Sequence, residues 1–156
     1  MRILLTAVIC AGLLSCADEA ATDNQTAVSG APAPAAEPMG RTAAPAGAEV
    51  YFIAPQDGET VASPVTIRFG LRGMGVAPAG IEMANTGHHH LLVDTDSLPP
   101  MDEPMADAVT HFGAGQTETS LDLAPGEHTL RLILGDRFHI PHDPPVMSEE
   151  ITITVE

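Results

Sequence analysis

Val65-Thr66-Ile67-Arg68-Phe69-Gly70-Leu71-Arg72 alternates apolar residues with polar or small ones without a break. Successive side chains of an extended chain point to opposite sides, so Val65, Ile67, Phe69 and Leu71 share one face. A helix would scatter those four around its circumference, whereas a half-buried strand gathers them, and the stretch predicts a β-strand. Pro64 suits the first residue of such a strand, where no ladder hydrogen bond is asked of its nitrogen.

The same texture continues on both sides. Val50 to Ala54 reads as a first strand, ended by the turn sequence Pro55-Gln56-Asp57-Gly58. Thr117, Thr119, Leu121 and Leu123 alternate with acids and Ser120, and Pro125-Gly126 then turns into His128, Leu130, Leu132 and Leu134, which predicts a hairpin. Ile151, Ile153 and Val155 supply a last strand. Six or seven strands with no helical period predict an all-β fold, a single immunoglobulin-like antiparallel β-sandwich over residues 49–156. Residues 73–87 and 95–109 read as long loops, rich in glycine and proline, of the kind that carries function.

The first 48 residues have a different character. Residues 1–15 pair Arg2 with an apolar run from Ile3 to Leu14 that is too short to span a bilayer, as in a secretory signal. Leu13-Leu14-Ser15-Cys16 resembles the bacterial lipobox, which implies cleavage before Cys16 and attachment of lipid to its sulfur. Residues 16–48, dominated by Ala, Pro, Thr and Gly, then form a disordered tether. The expected location is the bacterial cell envelope, anchored to a membrane through Cys16. No Asp directly follows Cys16, which by resemblance to the enterobacterial sorting rule points to the outer membrane, facing the periplasm. With Cys10 lost and Cys16 lipidated, no thiol remains to form a disulfide, so packing must stabilise the domain.

The formal charge of -15 becomes -16 once the segment carrying Arg2 and no acid is removed. From Glu49 onward 17 acids face only Arg68, Arg72, Arg131 and Arg137, a net of -13. Such a surface repels nucleic acid and anionic lipid and draws in cations.

Chemistry concentrates in Gly87-His88-His89-His90-Leu91-Leu92-Val93-Asp94. On a strand, His89, Leu91 and Val93 form the more apolar face and should meet the core, leaving His88 and His90 pointing outward as a pair able to converge on one ion. His139-Ile140-Pro141-His142-Asp143-Pro144-Pro145-Val146-Met147 is a second cluster, in which proline stiffens a segment bearing two imidazoles, a carboxylate and a thioether. His111 could complete a site, while His128 reads as a packed, hydrogen-bonded side chain. The predicted metal ligands are therefore His88, His90, His139 and His142, supported by His111 and Met147. Imidazole suits copper and zinc, and Met147, or Met83, Met101 and Met105 in the flanking loops, inclines the choice to copper. Asp94, Asp96 and Asp102 could hold calcium, although Asp-Thr-Asp-Ser after a strand is more often a solvated turn. No nucleophile elbow, phosphate loop or His-Glu-X-X-His helix is present, so no enzyme activity is expected.

Several stretches, from Val50-Tyr51-Phe52-Ile53 and Ser63-Pro64-Val65 through Gly73 to Gly80, Asn85 to Leu92 and His111-Phe112-Gly113 to Leu134-Gly135-Asp136 and His139 to Met147, resemble domain-of-unknown-function family 4399. The resemblance implies that the histidine and glycine segments belong to one region, and it implies no activity. Where that family carries a further histidine two residues before His111, this chain has Val109, which would weaken a site dependent on it. The function expected is capture or buffering of a transition metal, copper and then zinc, by an envelope lipoprotein. The rival is a non-catalytic envelope module that recognises a protein or glycan, its histidines merely hydrogen-bonded.

Overall fold

The computed structural model describes residues 40–105 and 109–156. The expected signal segment, Cys16 and residues 17–39 of the tether lie outside them. Among the described residues nine strands follow in order: β1 (Glu49–Ala54), β2 (Thr60–Val61), β3 (Val65–Arg72), β4 (Gly75–Val76), β5 (Thr86–Val93), β6 (Thr110–His111), β7 (Glu118–Leu121), β8 (Gly126–Gly135) and β9 (Ile151–Val155). Among the described residues there is no helix.

The strands form two open sheets. One has the order β1-β3-β7; the other runs β2-β9-β8-β5-β4, with β6 added alongside β5. The alternation of β3 does what its pattern demands: Val65, Ile67 and Phe69 are buried at 2% exposure or less. They meet Leu91, Leu130, Leu132, Leu134, Ile153 and Val155 of the larger sheet in one core. Burying each such side chain contributes roughly 1.5–3 kcal/mol, so this sandwich-like contact is the main source of stability.

Two expectations need correcting. The pairings are not all antiparallel, because β2 runs parallel to β9 and β4 parallel to β5. Nor do β7 and β8 form a hairpin: β7 pairs with β3, whereas β8 lies between β5 and β9 in the other sheet. The chain passes between sheets at Pro125-Gly126, where Gly126 has φ of 139°. Alternation fixes which side chains point inward, and strands in facing sheets share one interior just as hairpin partners do, so the pattern could not separate the two arrangements.

The end of the stretch read as tether also belongs to the folded unit. Ala44 N donates to Asp143 O at 2.8 Å, Asp143 N donates to Thr42 O at 2.9 Å, and Ala44 and Ala48 pack against the core. Arg41 reaches across to the same loop, with Nε donating to Pro141 O at 3.1 Å and its terminal nitrogens to His142 O and the Asp143 carboxylate. These residues show no apolar period because they are held by backbone pairing.

Candidate metal centre

β5 is the floor of the site. It pairs with β8 on one side, where Leu91 faces Leu132 and His88 faces Gly135, and with β6 on the other, where His90 faces His111. As the period of two requires, His89 turns to the core, with its ring centroid 5.2 Å from that of Phe69. His88 and His90 take the opposite face, their ring centroids 4.7 Å apart.

That face is not open to water. His88 is 1% exposed and His90 0%, so the pair expected to point outward does face away from the core but is covered rather than at the surface. What covers them is more histidine. The cross-strand pairing brings His111 to 5.1 Å from His90 and 5.0 Å from His88, centroid to centroid. His139 comes from the loop after β8, at 4.9 Å from His88 and 4.4 Å from His111. One ligand nitrogen from each of His88, His90, His111 and His139 lies within 4.8 Å of all the others. His88 Nε2 and His139 Nδ1 are 3.4 Å apart, close to the edge of about 3.3 Å between nitrogens that share a tetrahedral ion at about 2.0 Å.

The loop that presents His139 is tightly specified. Asp136, 2% exposed, accepts from Phe138 N at 2.8 Å and Ile140 N at 3.0 Å through Oδ1, and from the Thr42 hydroxyl at 2.6 Å through Oδ2. His139 N donates to Asp136 O at 2.9 Å, and His139 itself has φ of 68°. A left-handed conformation in a residue with a Cβ costs of order 1–3 kcal/mol, and it persists here because the turn around it is fixed on every side. The long loops add ties: Ala79 N donates to Gly113 O, Gly80 N to Arg137 O, and Met105 N to His139 O. Both long loops therefore brace the histidines that they flank in sequence.

Glycines make the room. A Cβ at Gly135 would stand 2.5 Å from His90 Cε1 and 2.9 Å from Met105 Cε, and one at Gly113 would stand 2.3 Å from His111 Cε1. Neither glycine, nor Asp136, is marked by histidine spacing. A glycine inside or just after a strand does signal close approach, and that signal was available at Gly135.

Burial and crowding set the protonation. Burial pushes the pKa of His88 down to about 4 and that of His90 to about 3, and the neighbouring histidines add to this; at His88 the Asp136 carboxylate acts in the opposite sense. His111 is also lowered, by burial and by His139. At neutral pH these rings carry free lone pairs, the form that binds a metal. Their nitrogens are also poorly used: His88 Nδ1 and both nitrogens of His90 are buried with no hydrogen-bond partner. Each such group costs roughly 1–3 kcal/mol unless something binds it. Four imidazoles gathered with their ligand atoms within 4.8 Å, three of whose nitrogens on His88 and His90 are orphaned, fit a borderline transition metal.

Of the predicted ligands, the structure brings together His88, His90, His111 and His139. His142 is buried elsewhere, its Nδ1 3.3 Å from Leu134 O and its Nε2 3.3 Å from Thr86 O, so a backbone carbonyl stands opposite each nitrogen. Met147 bridges to Ile133 and packs with Leu92, Met105 and Ile133. His128 is hydrogen-bonded as expected, to the Asp94 carboxylate at 2.7 Å and Ala124 O at 2.8 Å. The other Asp94 oxygen accepts from Thr129 N, which commits that carboxylate to the turn.

A family model described as Domain of unknown function (DUF4399) matches residues 67–156, from inside β3 to Glu156. No curated protein and no solved structure matches the chain.

Proposed function

Because the chain belongs to the DUF4399 family, whose description carries no activity, we propose from the site itself that this is an envelope lipoprotein that captures or buffers a transition-metal ion, copper ahead of zinc. The observation that carries this reading is the set of three orphaned ring nitrogens on His88 and His90, buried within a group of four histidines whose ligand atoms lie within 4.8 Å. His111 is exposed and His139 partly so, which gives an ion a way in, and the acidic surface raises its local concentration. The lipid at Cys16 and the tether would hold the immunoglobulin-like domain at the outer membrane, facing the periplasm. No turnover is proposed.

The rival reading, an envelope module with hydrogen-bonded histidines, suits His128 and His142 and leaves the gathering of His88, His90, His111 and His139 without a role. Titration of the full chain with copper and with zinc, beside a His88→Ala, His90→Ala variant, separates the two. One tightly bound ion in the parent chain, lost in the variant, is expected; equal, weak binding by both would contradict the metal reading.

A further inference from the structure

We propose that the Met105 thioether is a further ligand of this site and that the ion it selects is monovalent copper, with Asp136 as counter-charge; this rests on the metal reading above. Met105 is 7% exposed and comes from the long loop before β6. Its methyl carbon and His90 Cε1 lie 2.9 Å and 2.5 Å from one point, the position a Cβ on Gly135 would take, so the end of the thioether chain and the imidazole edge border the same point. The Met105 amide donates to His139 O at 2.9 Å, which fixes the same residue to a second member of the group. Met105 thus borders the His90 ring with its side chain and the His139 carbonyl with its backbone, besides packing with Leu92 and Ile133.

The charge of the surroundings points the same way. The four imidazoles and the thioether are neutral donors, so the ion keeps its full charge inside a buried site. The cost of burying an ion rises with the square of its charge, which penalises a divalent ion about fourfold over a monovalent one. Asp136, whose turn presents His139, is buried, held by Thr42 and two backbone amides, and without a salt-bridge partner among the described residues. One negative charge balances one positive charge. Soft thioether sulfur prefers copper(I) over zinc, and thus ligand softness and charge agree.

The test is an anaerobic competition titration of the full chain, copper(I) against bicinchoninate and zinc against a chromogenic zinc chelator, for the parent chain, Met105→Leu and Met147→Leu. Leucine replaces methionine at nearly constant volume, so the fold is retained. Met105→Leu is expected to weaken copper(I) binding by about tenfold or more, at the scale on which partners of a metal site act, with zinc binding unchanged. Met147→Leu, in the same apolar cluster, should leave both unchanged. Copper K-edge absorption should show sulfur in the shell of the parent and none in Met105→Leu. Copper(I) binding that survives Met105→Leu, an equal loss for both ions, or a parent shell without sulfur would overturn the inference while leaving the histidine site standing. Failure of the parent to bind either ion would overturn both readings.

Discussion

His128 and the pair His88–His90 show two ways a fold can hold histidine. The His128 ring is fully used: Nδ1 donates to Asp94 and Nε2 to Ala124 O, two acceptors that favour the protonated ring and raise its pKa. His88 and His90 stand on β5 with three of four ring nitrogens unpartnered, and burial drives their pKa values down. The ring held by the fold is given acceptors; the rings that could hold an ion are given neighbours of their own kind, and burial lowers their pKa values. His89 shows that an orphaned ring is not sufficient, since both of its nitrogens are also unpartnered, but it faces Phe69 in the core and, among the described residues, pairs with no other imidazole ring.

The contrast can be broken by substitution. His88→Ala with His90→Ala should weaken metal binding by at least about a hundredfold, since even outer partners of ligands cost that much, whereas His128→Ala should leave it unchanged. Equal effects would erase the distinction; a calorimetric titration of each variant measures it. Next in size is Gly135→Ala, which forces a methyl onto the buried His90 ring and should cost about 1–3 kcal/mol of stability as well as metal affinity. Gly113→Ala meets the exposed His111 ring, which can swing aside, so it should weaken the metal with little loss of stability. Denaturant melts with and without the ion separate these two outcomes.

Acid sharpens the same contrast, because the two classes titrate with opposite sign. His88, His89 and His90 have folded pKa values of about 4, 4 and 3 against 6.5 unfolded, so the stability that they contribute is present above pH 6.5 and is lost as pH falls toward 4. Each contributes up to about 1.4 kcal/mol per pH unit in that window, and urea melts of the metal-free chain between pH 7.5 and pH 5 should show the slope. His128 is raised, so its contribution is present below pH 6.5 and is lost as pH rises through its folded value. The effect of His128→Ala is accordingly the smallest, about 0.5–1 kcal/mol at pH 6 for an exposed pair, and less at pH 8. A larger loss at pH 8 would reverse the assignment.

The strands were legible in the sequence because a buried face imposes period two, and the same rule divided His89 from His88 and His90. Connectivity between sheets was not legible, since β7 and β8 carry the alternation that either a hairpin or a sheet-to-sheet corner would need. The burial of His88 and His90 was hidden as well, because the cover arrives from 20 to 50 residues away, through His111 opposite His90 and through a loop shaped by Asp136. Proximity along the chain favoured His142 beside His139. The turn at Gly135 to Pro141 sends the two rings apart, one into the group and one to the carbonyls of Leu134 and Thr86.

The most direct measurement of the central claim is zinc K-edge absorption on the full chain loaded with one equivalent of zinc, which reads nitrogen ligation independently of any methionine. The account predicts a shell of imidazole nitrogens at about 2.0 Å that disappears in His88→Ala, His90→Ala. An oxygen-dominated shell, or one unchanged by that variant, would contradict it.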